Sequence, residues 1–176
     1  MYYDLFCILE YILQVMVHNK SLANTSFSIL SKSSEFLNLV IQNINSCVLL
    51  LNNKMELQAY NDALKTIFSN KPEEDILYHR CGEVIGCAYN VEEAKKCGET
   101  SHCKTCDIRI SAMKSYLQDE VIYKEHFSRP FYTQKGVKEM KHLQFSSRLF
   151  TYNREKYIIL MIEDITRLVN LEEKFQ

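Results

Sequence analysis

An α+β fold built on one antiparallel sheet is what this sequence predicts, on three observations. Two short apolar runs flank an Asn-Asn-Lys turn near residue 52. Three longer strand-like segments, separated by Lys135-Gly136 and Asn153-Arg154, close the chain between residues 121 and 162. Helical spacing fills the stretch between these two groups, and strands grouped apart from helices point to this class rather than to a parallel α/β sheet.

The elements follow in order. From Tyr2 to about Asn19 the apolar residues Leu5, Ile8, Leu9, Ile12, Val15 and Met16 make a helical stripe. Ser21 to Ser34 holds six serines and reads as a linker. Ser34-Glu35 offers a helix start for Phe36 to Ile44. Cys47 to Leu51 is a buried strand, Asn52-Asn53-Lys54 a turn and Met55 to Tyr60 a second strand, together a hairpin. Asn61 can cap a helix through Phe68, with Leu64, Ile67 and Phe68 inward. Pro72 breaks the pattern, and Glu73 to Tyr78 is a short irregular or helical piece. Asp107 to Leu117 is a helix. Val121 to Tyr132 is a strand whose Pro130 marks an edge or a bulge. Met140 to Tyr152 alternates, and Tyr157 to Ile162 (YIILMI) is a continuous apolar run, as a central strand requires. Ile165, Leu168, Leu171 and Phe175 form a last helical stripe.

Composition narrows the function. A length of 176 residues supports one good core, and a net charge of −1 gives no electrostatic case for nucleic acid or an anionic membrane as partner. Leu5 to Val17 is apolar, but 13 residues containing Glu10 and Gln14 are too few to span a bilayer. Asp4 stands where a signal peptide carries positive charge. The expected compartment is therefore the cytoplasm, where thiols stay reduced; an odd count of seven cysteines fits that better than a disulfide framework.

Chemistry concentrates between Cys81 and Cys106. These 26 residues hold five of the seven cysteines and three of the four glycines, Gly82, Gly86 and Gly98. The spacing is Cys81-x5-Cys87-x9-Cys97-x5-Cys103-x2-Cys106. Two sulfurs of a Cys-x-x-Cys suit a tetrahedral metal or one cluster, and the adjacent glycines free the backbone to fold around a small object. The stretch reads as a thiolate-ligated metal or iron–sulfur site. Cys7 and Cys47 read as core residues. No glycine-rich phosphate loop and no Gly-x-Ser-x-Gly is present. Cys81-Gly82-Glu83 with Cys103-Lys104-Thr105-Cys106 imitates the zinc deaminase signature, but the proline expected before the second motif is absent, and Glu83 reads as a plain loop carboxylate.

The order of elements resembles the PAS fold from about Phe36 to Thr166. The opening hairpin SCVLLLNNKMELQAYN, the three-strand finish and the closing segment Met161-Ile162-Glu163-Asp164-Ile165-Thr166 carry the resemblance. The cysteine stretch is similar to that of a bacterial subgroup of PAS sensor domains with Gly-Cys, Cys-Gly and Cys-x-x-Cys, here Gly86-Cys87, Cys97-Gly98 and Cys103-x-x-Cys106. The resemblance implies a five-stranded antiparallel sheet with flanking short helices, preceded by the N-terminal helix. It divides the chain into a helix and linker (1–34), a PAS-like domain (35–166) with a cysteine-rich loop (81–106), and the start of an outgoing signalling helix (167–176). It nominates Cys87, Cys97, Cys103 and Cys106 as ligands.

Members of that subgroup carry proline where this chain has Cys81, which leaves Cys81 as an extra thiol; His102, between ligands, is a further candidate. His79 ranks below it, and His18, His126 and His142 read as surface or strand residues. Zinc and a four-iron–four-sulfur cluster both stay open, the uneven spacing leaning slightly to the cluster. A haem or flavin would rest on fold analogy alone. The implied function is a sensory module responding to redox state, oxygen or metal, dimeric through its terminal helices. The rivals are a zinc-stapled interaction module without sensing chemistry and a deaminase-like enzyme. No kinase, cyclase or DNA-binding segment follows Thr166, so a free-standing or truncated sensor is expected.

Overall fold

The computed structural model describes residues 35–68, 76–133 and 135–175. The apolar stripe at 5–16, the serine-rich linker, Cys7 and Pro72 lie outside the described residues. Helix α1 (Glu35–Gln42) leads into β1 (Cys47–Leu51), β2 (Leu57–Tyr60) and α2 (Ala63–Ile67). Two short helices, α3 (Cys81–Val84) and α4 (Ala88–Glu92), and a 3-10 turn (Cys103–Thr105) precede α5 (Asp107–Gln118). Strands β3 (Ile122–Tyr132), β4 (Lys138–Tyr152) and β5 (Glu155–Asp164) follow, and α6 (Thr166–Glu172) ends the described chain. The cysteine-rich loop is thus not a plain loop: four of its five cysteines sit in or cap helical turns. Among the described residues no helix is long and apolar enough to cross a membrane.

The five strands form one antiparallel sheet in the order β2-β1-β5-β4-β3. The continuous apolar run of β5 lies at the centre, as its composition demands, because both its faces are covered. Ile158, Leu160 and Ile162 join Leu49, Leu51, Leu143, Phe145 and Phe127 in the main core under the helices. Val48, Leu50, Ala59 and Tyr157 form a smaller cluster on the other face with Ile41, Ile159 and Met161. Strand β3 is an edge strand, which tolerates Pro130, and it is also bulged, between Lys124 and Phe127.

Turn chemistry sets the register. Asn153 and Arg154 both have positive φ (48° and 66°), the geometry that a two-residue hairpin with the strands' own twist needs, and Tyr152 pairs with Glu155 across it. In the first hairpin the Asn52 carboxamide oxygen accepts from the Lys54 and Glu56 amides at 2.9 and 3.0 Å. Met55 takes the left-handed conformation (φ 66°), so β2 begins at Leu57 rather than at Met55. Expected as a helix cap, Asn61 has another role: its side chain makes no cap bond, and Asp62 stands at the N-cap. Buried completely, its oxygen accepts from the Val48 amide (2.9 Å), and its NH2 donates to the carbonyls of Ile41 (3.1 Å) and Ser46 (3.0 Å). One carboxamide ties the end of α1, the start of β1 and the end of β2.

Helix α5 ends at Asp119 in the left-handed conformation. Its inward face is Ile108, Ala112 and Ser115, while Ile110 and Leu117 are exposed. The Ser115 hydroxyl donates to the Ser147 carbonyl at 3.1 Å, fixing the helix on β4. At the other end of β4, the His142 amide donates to Thr166 Oγ1 and the His142 carbonyl accepts from Ile165, both at 2.9 Å. Asp164 Oδ1 accepts from the Thr166 amide (2.9 Å), closing β5 and opening α6.

Asn61→Ala should destabilise the domain by about 2–4 kcal/mol, because it strands a buried amide and two carbonyls. Denaturant unfolding of both proteins measures it. A loss below about 1 kcal/mol would mean that water takes over the bonds of the missing carboxamide.

Candidate metal centre

The chain carries its thiols inward by pairing along an open sheet edge. Tyr78 donates to the Leu57 carbonyl (2.8 Å), Leu57 to His79 (2.9 Å) and Cys81 to Met55 (2.8 Å). Cys81 then starts α3 beneath the sheet, 2 % exposed. Gly86 accepts from the Tyr132 amide (2.8 Å), and Cys87 bridges to Phe131 on β3. Cys97 follows α4, Cys103 opens the 3-10 turn and Cys106 stands at the N-cap of α5.

All five thiols line one small cavity of about 30 Å³, together with Met55, Ile85, Ile108, Arg109 and Arg129. Cys87, Cys97, Cys103 and Cys106 are therefore brought together, and so is Cys81. His102 is not in the lining; it stacks on Tyr89 with ring centroids 3.7 Å apart. Arg129 lies over the same Tyr89 ring at 5.3 Å. Cys47 is buried in the core, and its thiol is pushed up by burial.

One backbone N–H is bonded to a sulfur, Gly98 to Cys103 Sγ at 3.1 Å, and the nearby Gly82 and Arg109 amides act downward on the Cys97 and Cys106 thiols. Thr100 Oγ1 lies 3.0 Å from Cys103 Sγ. Burial still pushes the Cys97 thiol up to about 11, raises Cys106, and raises Cys81 well above the ordinary range. Cys103 differs. Burial acts upward on it, but Thr100, the Gly98 and Thr100 amides and the Arg109 guanidinium outweigh that and hold it below the usual thiol. Arg109 and Arg129 place two fixed positive charges beside the group, and Cys106 adds the positive end of α5.

Two glycines are required by contact. A Cβ on Gly82 would lie 2.7 Å from Cys97 Sγ. Gly98 has φ +100°, and a Cβ there would meet the Arg109 guanidinium at 3.0 Å. Glu83, read from sequence as a plain loop carboxylate, is a clasp: its two oxygens accept from the Arg80 and Cys97 amides, both at 3.2 Å. Arg80 in turn donates to the Cys97 carbonyl at 2.6 Å. Both carboxylate oxygens are thus committed to backbone, where the deaminase-like reading needs a general acid or base.

The donor set fits a thiolate-bound centre: soft sulfur ligands, N–H donors to sulfur and cationic neighbours. Among the described residues no three His, Cys, Asp or Glu side chains converge tightly enough to hold a single ion. The thiols ring the cavity instead. Arg109 was legible in the sequence as the residue three after Cys106 on a predicted helix, hence on the same face. Arg129 and Glu83 carried no such signal.

No family model matches the sequence, and no curated protein matches it. Solved structures do. The PAS domain of BvgS from Bordetella pertussis superposes with a TM-score of 0.53 at 15% identity, covering 82% of this chain and 94% of that one. The PAS domain of an HTR-like protein from Haloarcula marismortui gives 0.52 at 13% identity over 77% and 99%. A PAS domain from a two-component sensor histidine kinase gives 0.50 at 12% identity over 78% and 98%. The fold of this chain is the PAS fold.

In metal-free protein, iodoacetamide should modify Cys103 first among the five lining thiols, since it is partly exposed and its thiol is held below the usual range; peptide mass mapping over time reads the order. Gly82→Ala should cost about 1–3 kcal/mol by overpacking against Cys97, measured by urea unfolding, whereas Gly136→Ala, which meets nothing, should spare the Cys97 environment.

Proposed function

We propose that this chain is a sensory module whose input is a thiolate-bound metal centre on Cys87, Cys97, Cys103 and Cys106. The observation that carries the reading is the convergence of these four thiols on one small cavity that also receives two guanidiniums, with the Gly98 amide donating to Cys103 Sγ. Such donors stabilise sulfur that bears negative charge, as it does when it binds metal. The uneven spacing of the cysteines, with one Cys-x-x-Cys and two widely separated single cysteines, leans the reading to a four-iron–four-sulfur cluster over zinc. A cluster supplies redox- or oxygen-sensitive chemistry; zinc supplies only a staple. Cys81, fully buried at the same cavity, is a fifth thiol available to the group.

The route to an output runs through the chain's own packing. Cys106 begins α5, so displacement of its sulfur moves the first turn of that helix. Helix α5 is fixed to β4 at Ser147, and β4 grips the start of α6 through His142. Leu168 and Leu171 on α6, and Phe175 just beyond it, are exposed. We take this stripe, with the apolar stripe at 5–16, as the surface for a second copy of the chain. The likeness to a sensor histidine kinase domain supports the sensory reading. The second reading, a zinc-stapled interaction module, keeps the same ligands without the response.

Anaerobic purification followed by absorption spectroscopy and iron, sulfide and zinc analysis tests it. A brown protein with absorbance near roughly 400 nm that bleaches in air is the expected outcome. Cys103→Ser and Cys106→Ser should lose the metal and destabilise the domain, while Cys47→Ser should keep it. One stoichiometric zinc and no colour would leave the interaction module; equal metal in all three variants would overturn the ligand assignment.

A further inference from the structure

Away from the thiols, the sheet brings a second pair of ligating side chains together. His126 Nε2 stands 3.0 Å from His142 Nδ1. Ser128 Oγ lies 3.3 Å from the first nitrogen and 2.8 Å from the second. Register produces this cluster. Ser128 pairs with His142 across the β3–β4 ladder, and His126, two residues earlier, shares the face of Ser128 and sits diagonal to His142. The bulge between Lys124 and Phe127 ends just there. The ring centroids are 5.3 Å apart and the planes tilt by 36°, so nitrogen edges rather than ring faces meet.

We propose that His126 and His142 form a binding site for a divalent transition ion of the zinc, nickel or copper class, with Ser128 as an auxiliary oxygen. Two imidazole nitrogens each ~2.0–2.1 Å from one ion stand roughly 3.0–3.4 Å apart, the range in which this pair is held. Without an ion, a 3.0 Å contact between ring nitrogens requires one of them to carry a shared proton. On binding, that proton is exchanged through solvent to the outer nitrogen of the same ring, so that both facing nitrogens present lone pairs to the ion. Each ring then carries its single N–H on the outer nitrogen, Nδ1 of His126 and Nε2 of His142. Among the described residues no third His, Cys, Asp or Glu completes the set, so water fills the remaining positions and the ion is exchangeable. Imidazole donors select this class of ion over magnesium or calcium.

The position gives such an ion leverage. His142 grips Thr166 and Ile165 at the start of α6 through its backbone. His126 belongs to the edge strand, whose far end, at Phe131 and Tyr132, is bonded to Gly86 and Cys87 in the thiol segment. An ion across the two imidazoles pins that strand to the strand that carries the exit helix. The site is independent of the thiol reading.

Zinc chloride titration of the full chain, followed by nitrogen-detected NMR of the imidazole side chains, tests it residue by residue. The His126 and His142 rings should shift together and saturably, with the rings of His79 and His102 unmoved by that event. Magnesium at the same concentrations should shift neither ring. In His126→Ala the His142 ring should bind zinc at least about 100-fold more weakly, because one ligand loses the advantage of the other, and the reverse should hold in His142→Ala. Cys103→Ser should leave the two shifts intact, so failure of the thiol centre does not affect the outcome. Both side chains lie at the surface of the sheet, and the amide spectrum of each variant should stay that of the folded domain. Two rings that respond only to protons, or that respond to zinc independently of each other, would overturn the proposal.

Discussion

Backbone hydrogen bonds lace the segment from Tyr78 to Cys87 to both free edges of the sheet, and the rest of the architecture hangs on that lacing. At one edge Leu57, His79, Met55 and Cys81 exchange amide bonds; at the other, Tyr132 donates to Gly86. A five-stranded sheet has two edges that must be paired, covered or blunted. Here one short piece of chain serves both, and in doing so it carries Cys81 and Cys87 across the inner face. The thiol cavity is therefore a by-product of edge protection: the same bonds that satisfy the rims place the sulfurs.

The segment after Cys87 is held differently, by side chains acting on backbone. Glu83 holds the Cys97 amide, Arg80 its carbonyl, and Glu93 accepts from the amide and hydroxyl of Ser101. These contacts leave the Gly98 N–H free to bond Cys103 Sγ. The charge balance follows the same division. Burial alone drives most of these thiols away from ionisation, while two guanidiniums and a helix N-terminus draw them toward it. Cys103, nearest the surface and richest in donors, is where the second influence prevails.

Much of this was legible because the signals are local. Asn153-Arg154 marks a two-residue hairpin, the apolar run at 157–162 marks a strand covered on both faces, and Pro130 marks an edge. The Cys-x-x-Cys and its flanking glycines pointed to the segment whose five thiols line one cavity. What sequence could not give depends on contacts between distant parts. Asn61 has the composition of a helix cap, and only the fold reveals that its amide spans three elements. Met55 looks like a strand residue, yet the Asn52 turn forces it left-handed. Arg129 reaches the thiols from a strand more than twenty residues beyond Cys106, and His126 meets His142 only through the register of a bulged ladder. The N-terminal stripe remains an expectation from periodicity.

The hairpins at Thr133–Val137 and Asn153–Arg154 bear on the order in which the molecule assembles. They make β3, β4 and β5 a meander of near neighbours, whereas β1 reaches β5 across more than a hundred residues, as in the pairing of Val48 with Met161. Chain-closure entropy delays such distant pairings. The meander and α5 then form the nucleus, and the thiol segment, which needs β2 at one rim and β3 at the other, orders late. Whatever the sulfurs bind would enter a nearly finished protein, and the last kinetic step of maturation would be its capture rather than the collapse of the core.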